Sequence, residues 1–284
     1  MPFSSIAIFS PGLLGGSLAL AIRERLPLAQ VRIWARRPEI VEKVLARKIA
    51  HAASTDPVEI AKGARLIVFC MPIGAMGEIA AKIAGSVERN AVVTDVGSVK
   101  RPVVEEMGAI FSGKAIFIGS HPMAGSEQTG LDSARANLFE GAVTFVTPED
   151  RTPPEAIEAL TDFWTTMGCK VVRTGSRIHD DAVGLVSHLP HLVAAALVRT
   201  ALRENPVALD FRGPGFMDTT RVASGPAGMW AEILLENRDA VKHAILAIAS
   251  NLNDLVKLLD AGDISGIEDY LAESKRTRDG LKRK

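Results

Sequence analysis

The chain has 284 residues, 47% of them hydrophobic, and its 33 basic side chains balance 33 acidic ones. This length allows two globular domains with filled cores, and the zero net charge offers no overall attraction to nucleic acid or to an anionic membrane. Two cysteines are too few for a disulfide framework, and neither a signal peptide nor a run of about 18 apolar residues is evident. We therefore expect a cytoplasmic protein with a small-molecule partner.

Short apolar runs alternate with amphipathic helical patterns over residues 1–175. Continuous β-branched or aromatic runs separated by helices are typical of a mainly parallel sheet covered on both faces. The pattern predicts an α/β fold with a doubly wound N-terminal domain at 1–175. Its strands are expected at residues 6–9, 31–34, 66–70, 91–96, 115–120, 142–147 and 170–174.

The first apolar run leads into a glycine-rich segment, SPGLLGGS, at residues 10–17. This is the dinucleotide-binding fingerprint with Ser10 in place of its first glycine. Gly12 would let the backbone approach a pyrophosphate, Gly15 would let the helix pack closely on the strand, and the helix N-terminus favours the anion. Because strand, turn and helix follow in the required order, the segment predicts a Rossmann-type cofactor domain. A plain glycine-rich turn is the alternative.

The end of the second run bears on which cofactor binds. An NAD-binding protein usually places an acid here, but Ala35 occupies that position and Arg36 and Arg37 follow it. Guanidinium groups can pair with a 2′-phosphate, which a carboxylate would repel. The sequence therefore predicts NADP, and NAD with two solvated arginines is the alternative.

The segment HPMAGSE at residues 121–127 follows the fifth run. A strand that stops at His121 and Pro122 would present the imidazole at the carboxyl edge of the sheet, where open α/β sheets bind ligands. This position predicts that His121 takes part in chemistry.

Strand signals disappear after residue 175, and helical patterns follow at 179–204, 227–259 and 264–281. They predict an all-helical domain at 176–284. Its long apolar stripe favours contact with a second subunit, although a self-contained bundle core is the alternative. The stripe consists of Trp230, Ile233, Leu234, Val241, Ile245, Leu246, Ile248, Leu252, Leu255 and Leu258.

Polar residues of the helical domain suggest a substrate site. His188 and His191 share a helix face, but no further ligand type accompanies them, so no metal is predicted. Pro190 should kink this helix at the border of a pocket. Arg221 follows a glycine-rich turn and would either bind a substrate carboxylate or form a surface ion pair with Asp218.

Together these segments resemble the prephenate and arogenate dehydrogenase family, the enzymes of tyrosine biosynthesis. The resemblance covers nearly the whole chain and departs from the family at Ser10 and Ala35. It rests on five motifs in the family's order, which are GLLGGS at 12–17, DVGSVK at 95–100, HPMAGSE at 121–127, SHLPH at 187–191, and DTTR at 218–221 with Trp230.

The resemblance implies oxidative decarboxylation of prephenate or arogenate by a homodimer, with hydride transfer to NADP or NAD. It makes His121 and Ser98 the catalytic candidates. The substrate-binding candidates are His191, Arg221, Glu127, Asp218 and Asp180, of which Asp180 would orient a histidine. The cofactor-binding candidates are Gly12, Leu13, Leu14, Gly15, Ala35, Arg36, Arg37, Met71, Pro72 and Asp95.

Two other functions remain open at this point. Another two-domain nicotinamide enzyme, such as a β-hydroxyacid dehydrogenase or a pyrroline-carboxylate reductase, would share the layout but is expected to lack the histidine segments. A non-catalytic NADP sensor has no evident need for His121, Ser98 and Arg221 together.

Overall fold

A computed structural model describes residues 3–126 and 128–281. Its strands are β1 (Ser5–Phe9), β2 (Gln30–Trp34), β3 (Ala52–Ser54), β4 (Leu66–Phe69), β5 (Val92–Asp95), β6 (Ile116–Phe117), β7 (Gly119–Pro122), β8 (Val143–Thr147) and β9 (Lys170–Arg173). Its helices are α1 (Leu13–Arg25), α2 (Pro38–Ala46), α3 (Pro57–Ala61), α4 (Met76–Ile83), α5 (Arg101–Phe111), α6 (Pro154–Thr166), α7 (Ser176–Val183), α8 (Leu189–Glu204), α9 (Pro214–Thr220), α10 (Ala227–Glu236), α11 (Arg238–Ala261) and α12 (Ile264–Gly280).

The first sheet has six parallel strands in the order β3-β2-β1-β4-β5-β6. Its central strands are fully buried because one apolar cluster covers each face of the sheet. The strand order reverses between β1 and β4, and ligands bind in the crevice outside the carboxyl ends of strands at such a point. The predicted Rossmann-type α/β domain followed by a helical domain is confirmed.

The apolar run at 115–120 differs from the prediction of a single strand. β6 closes the first sheet, whereas β7 begins a second sheet of order β7-β8-β9. β7 is antiparallel to β8, and His121 pairs with Phe145. The single strand predicted at 115–120 was therefore wrong, because the chain changes sheets at Ile118. His121 lies inside β7, which ends at Pro122. The short strand β3 was also missed, since its three residues form no apolar run.

The helical domain begins with one continuous helix over residues 176–204. It consists of α7, a π-helical turn over Gly184–His188, and α8. The π turn lies directly before Pro190, which lacks the N–H group needed for the regular α-helical ladder. A widened turn therefore lies beside Pro190, and the predicted kink stays a prediction. The helical pattern at 227–259 is interrupted at Asn237, between α10 and α11.

This first helix is long and apolar enough, by length and composition, to cross a membrane. The expectation that no segment would meet such a criterion was wrong, because polar residues interrupt the apolar run without lowering its mean hydropathy far. Four of those residues, His179, Asp180, His188 and His191, are buried. Three of them form hydrogen bonds inside the protein. These bonds hold one face of the helix against the rest of the protein, while only 28% of its apolar window is buried.

The helical domain is fastened to the sheet domain through α10. Trp230 and Ile233 pack into the same apolar cluster as Ile73 and Met76. The Oε1 atom of Glu232 accepts a hydrogen bond from the backbone N–H of Gly74 at 2.6 Å. β9 ends at Arg173 and α7 begins at Ser176, and we propose the domain boundary between them, at residue 175.

Candidate active site

A cavity of about 510 Å³ lies at the carboxyl ends of β1, β2 and β4. It occupies the crevice at the reversal of strand order, where the fold predicts a ligand. Its walls come from the fingerprint turn, the end of β2, the segment after β4, helix α4 and the loop at Gly130. The lining residues are Ser10, Pro11, Gly12, Trp34, Ala35, Arg36, Arg37, Ile40, Met71, Pro72, Ala75, Glu78, Ile79, Lys82, Gly130 and Leu131.

The glycines of the fingerprint fit a dinucleotide at this cavity. A Cβ atom added at Gly12 would meet no protein atom within 4 Å, so the backbone is open to an approaching ligand. A Cβ atom at Gly15 would lie 2.1 Å from the carbonyl oxygen of Ser10 and 3.0 Å from Cβ of Cys70. Gly15 therefore allows α1 to pack against the strands, as the fingerprint requires.

Ser10 adopts a backbone conformation that the first glycine of the fingerprint would adopt easily. Its φ is 78°, in the left-handed region that favours glycine, at a cost of about 1–2 kcal/mol for an ordinary residue. Its N–H group donates to the carbonyl of Trp34 at 3.0 Å. The tight turn is thus kept despite the substitution, and Ser10 remains in the cavity wall.

The outer part of the cavity is positively charged. Arg36 and Arg37 are exposed there, and Ala35 is buried and contributes no charge beside them. Nε of Arg37 lies 3.4 Å from Glu39, whereas no ion pair of Arg36 is found among the described residues. Lys82 also lines the cavity and pairs with Glu78 at 2.7 Å. Arg36 therefore has a guanidinium group available to an anionic ligand.

The structure brings six of the ten predicted cofactor-binding residues to the cavity, and the other four lie elsewhere. Leu13 and Leu14 pack against the main apolar cluster, and Gly15 lies beneath the turn. Asp95 is fully buried, and its carboxylate is occupied by protein groups. The six that line the cavity are Gly12, Ala35, Arg36, Arg37, Met71 and Pro72.

The Asp95 carboxylate organises the loop that carries Ser98. It accepts hydrogen bonds from the N–H groups of Gly97 at 2.8 Å and Ser120 at 3.1 Å, and from Nζ of Lys100. Lys100 is fully buried and also donates to the carbonyl of Ser120 at 2.8 Å. These bonds join the end of β5 to β7 and hold half-buried Ser98 at the carboxyl end of β5, on the segment preceding Lys100.

His121 is buried in β7 and forms a hydrogen bond through one ring nitrogen. Its Nδ1 atom lies 2.9 Å from Nε2 of His179, while no partner of its own Nε2 is found among residues 3–126 and 128–281. Burial holds the pKa of His121 well below its usual value, and the neighbouring His179, Lys100 and His188 lower it further. His121 is therefore a neutral imidazole at neutral pH, with one nitrogen left for a ligand.

Asp180 anchors His179 from its other side. Its Oδ1 atom lies 2.8 Å from Nδ1 of His179, and the carboxylate also accepts the backbone N–H groups of Lys100 at 2.7 Å and Arg101 at 2.8 Å. The latter two groups begin helix α5, whose N-terminus favours a negative charge. The structure thus aligns His121, His179 and Asp180, and the histidine that Asp180 contacts is His179.

His188 has a separate hydrogen-bond partner. Its Nδ1 atom lies 3.1 Å from Nδ2 of Asn237, which also donates to the carbonyl of Asp180 at 2.8 Å. Burial lowers the pKa of His188 to about 4. Because an amide N–H only donates, the Nδ1 atom of His188 is the acceptor and its proton is on Nε2.

His191 is stacked on Trp230. Their ring centroids are 3.6 Å apart with planes 10° apart, and Gly225 lies against both rings. His191 is 7% exposed, and its Nδ1 atom has no hydrogen-bond partner within the described part of the chain. Burial lowers its pKa, and the backbone of Val222 opposes this effect. A buried nitrogen without a partner costs about 1–3 kcal/mol, so a bound ligand that pairs with it would be stabilised.

The remaining substrate-binding candidates lie farther along the helical domain. Arg221 is exposed at the start of a 3₁₀ turn, Arg221–Ser224, that packs on α8, the helix of His191. Asp218 is exposed one turn earlier, and no ion pair between the two is found in the described residues. Glu127 lies outside the described residues.

Sequence reasoning missed three side chains of this site: Lys100, His179 and Asn237. Lys100 ends the DVGSVK motif, and His179 directly precedes the candidate Asp180. Both could have been found as polar residues next to residues that were already candidates. Asn237 gave no signal beyond its interruption of a helical pattern.

Both halves of the chain match family models. Residues 18–173 match the model "Prephenate dehydrogenase, nucleotide-binding domain", and residues 175–273 match "Prephenate dehydrogenase, dimerization domain". Among curated proteins, the prephenate dehydrogenase of Bacillus subtilis is 30% identical over 98% of this chain and 76% of its own length.

Solved structures with the same fold cover nearly the whole chain. The prephenate dehydrogenase of A. aeolicus, in complex with hydroxyphenyl propionate and NAD+, is 30% identical with a TM-score of 0.91, over 98% of each chain. The arogenate dehydrogenase of Synechocystis is 30% identical with a TM-score of 0.87, over 97% of this chain and 99% of its own.

Proposed function

Because the chain belongs to the prephenate dehydrogenase family, we propose that it catalyses oxidative decarboxylation of a cyclohexadienyl substrate, prephenate or arogenate. The protein is a nicotinamide-dependent oxidoreductase. The family match does not favour the alternatives, which were a β-hydroxyacid dehydrogenase, a related reductase and a non-catalytic sensor. The observation that carries the reaction is the geometry of His121. It is a buried neutral imidazole, held through Nδ1, whose Nε2 atom has no partner among the described residues.

The reaction needs a hydride acceptor and a base for the hydroxyl group of the substrate. The bound nicotinamide supplies the acceptor for the hydride that leaves the ring carbon bearing the hydroxyl group. His121 takes the hydroxyl proton on Nε2 and returns it to the phenolate oxygen formed when carbon dioxide leaves with aromatisation of the ring. Ser98 would bind the same hydroxyl group. The hydroxyl proton thus returns to the product, and the reaction releases no proton to solvent.

Residues of the helical domain would hold the rest of the substrate. His191 lies on α8, against which the Arg221 turn packs, and would contact a polar substrate group. The exposed guanidinium of Arg221 lies on a turn packed against the same helix and would pair with a substrate carboxylate. Glu127, which lies outside the described residues, and Asp218 stay candidate partners of Arg221, as the family resemblance implies.

The proposed reaction is tested by following reduced-nicotinamide formation with prephenate and with arogenate, each paired with NADP and with NAD. Activity on either substrate is expected, and the better pair identifies the side-chain and cofactor preferences. Folded protein that binds NADP but is inactive in all four reactions would overturn the proposal.

For the cofactor we propose a preference for NADP, supported by Ala35 and by the exposed Arg36 and Arg37 at the cavity. The double substitution R36A/R37A should lower kcat/KM for NADP about tenfold and leave that for NAD within about twofold, because exposed charge pairs are partly screened. The matched control is Arg23→Ala, which removes an exposed arginine outside the cavity. A wild-type preference for NAD would contradict the proposal.

We further propose that the enzyme is a homodimer. α11 has 24 residues, but only Val241 and Ala244 are buried. Four large side chains on one face of this helix form an exposed stripe, which is Ile245, Leu252, Val256 and Leu259 at 43%, 53%, 50% and 61% exposure. Apolar faces of this kind mark association surfaces. A matching stripe on a second copy would cover it.

Leu252→Glu should therefore convert the dimer to monomer at micromolar concentration, because it places a charge within the apolar stripe. Light scattering coupled to size-exclusion chromatography measures the mass. Leu28→Glu is the matched control, since Leu28 is 81% exposed in the sheet domain. A wild-type monomer would contradict the proposal.

We propose the cytoplasm as the location. Cys70 and Cys169 are both free and at least partly buried, which is compatible with a reducing compartment. The balanced charge of the chain offers no attraction to an anionic membrane, which is compatible with the same location.

A further inference from the structure

We propose that His179 is a positioning residue for the reaction: anchored by Asp180, it accepts a hydrogen bond from Nδ1 of His121 and keeps the lone pair of the base on Nε2. The inference rests on the proposed function, in which His121 is the base. It adds a residue whose side chain contributes to the reaction without touching the substrate. It also states which of the two neutral forms His121 must adopt.

The Asp180 carboxylate is held in one orientation. Both of its oxygens are held by the N-terminal backbone of α5, at 2.7 Å from the N–H group of Lys100 and 2.8 Å from that of Arg101. The backbone carbonyl of Asp180 is also held, by Nδ2 of Asn237 at 2.8 Å. The carboxylate therefore presents a fixed acceptor to His179.

The contact with Asp180 determines which nitrogen of His179 donates. A carboxylate only accepts, so Nδ1 of His179, 2.8 Å from Oδ1 of Asp180, must donate. A second proton on Nε2 would create a buried imidazolium. The His179 side chain is 0% exposed, so water cannot compensate such a charge. We therefore assign the acceptor role in the contact with His121 to Nε2 of His179.

The accepting Nε2 atom of His179 in turn determines which nitrogen of His121 carries the proton. Its Nδ1 atom lies 2.9 Å from the accepting Nε2 of His179 and must be the donor. Neutral imidazole has one proton, so Nε2 of His121 retains its lone pair. Phe145 packs edge-on against His179, with ring centroids 5.1 Å apart, and restricts rotation of that ring.

This arrangement suits a proton that is borrowed and returned. When His121 accepts the hydroxyl proton, its Nδ1–H group still points at His179, whose Nδ1–H group points at the Asp180 carboxylate. The positive charge on His121 is stabilised by two aligned hydrogen bonds that end on a negative charge. The base is thus ready both to take the proton and to give it back.

The first test is the tautomer of His121 in the wild-type protein, without substrate. The ring ¹⁵N chemical shifts of labelled histidine separate protonated from unprotonated nitrogens, and the His121 signals are identified as those absent from His121→Asn. We expect the proton on Nδ1. A proton on Nε2 would overturn the inference, and this readout requires neither activity nor a His179 variant.

The second test compares two substitutions of His179 in the full-length enzyme. His179→Phe keeps a ring of similar size but no acceptor, and should lower kcat about 10- to 100-fold with the Kd of NADP within about threefold. His179→Gln can turn its amide N–H toward Asp180 and its oxygen toward His121, and should recover most of the lost kcat. His243→Phe, an exposed histidine on α11, is the matched control.

The outcomes separate positioning from packing. If His179→Phe is as fast as His243→Phe, or if His179→Gln is as slow as His179→Phe, the positioning role is wrong. Failure of the proposed function would be recognised differently, as wild-type protein inactive on both substrates, while the tautomer of His121 would still be measurable.

Discussion

The His121→Asn variant is expected to turn over substrate about 10²- to 10⁴-fold more slowly than the wild-type enzyme. Asparagine can still occupy β7 and form a hydrogen bond, but it cannot take a proton. Its position does not line the cavity at the carboxyl ends of β1, β2 and β4, so cofactor affinity should be nearly unchanged. Steady-state kinetics with saturating substrate, together with a fluorescence titration of NADP, measure both quantities.

His243→Asn is the matched control for this prediction, since His243 is exposed on α11. A His121→Asn enzyme with wild-type turnover would exclude His121 as the base. The pH dependence gives a second check. Because burial holds the pKa of His121 well below its usual value, the neutral base persists through neutrality. Activity should be lost only as the pH falls through that lowered pKa and the ring becomes protonated.

Arg221→Ala is expected to raise the KM for the substrate about 10- to 100-fold, with a smaller change in kcat. A charge-assisted pair with a carboxylate contributes about 1.5–3 kcal/mol, and this contact would be made in the ground state as well as in the transition state. Arg221 is exposed, and no ion pair of it is found among the described residues, so its charge is available. Initial rates over a range of substrate concentrations give the KM.

Two further variants sharpen the result for Arg221. Arg221→Lys keeps the charge but loses the two-pronged geometry, so its KM should lie between those of wild type and Arg221→Ala. Arg203→Ala removes another exposed arginine of the helical domain and should leave the KM unchanged. An unchanged KM in Arg221→Ala would return Arg221 to the role of a surface charge.

The buried Asp95 and Lys100 pair illustrates a limit of motif reading. The motif placed Asp95 among the cofactor contacts, but the structure uses its carboxylate to join two loops and a buried ammonium group. A carboxylate and an amine five residues apart do not reveal that both are fully buried. Burial depends on how β5, β7 and α5 pack, which the local sequence does not encode.

The sequence by itself determined the α/β class, the Rossmann-type half, the helical half and the family. These follow from local rules, because hydrophobic periodicity fixes helices and strands and glycine-rich turns have distinctive residues. The glycines at residues 12 and 15 and the arginines at 36 and 37 were therefore recognisable before any coordinates.

Only the tertiary structure decided how the polar residues are paired. The change of sheet between β6 and β7, the stacking of His191 on Trp230, and the alignment of His121, His179 and Asp180 all join residues distant in sequence. His121 and His179 are 58 residues apart, and Lys100 and Asp180 are 80 apart. Both hydrogen bonds cross the boundary at residue 175, so they form only when the two domains pack together. In the proposed arrangement, the nitrogen of His121 that carries the proton thus depends on how the two domains pack and not on any single motif.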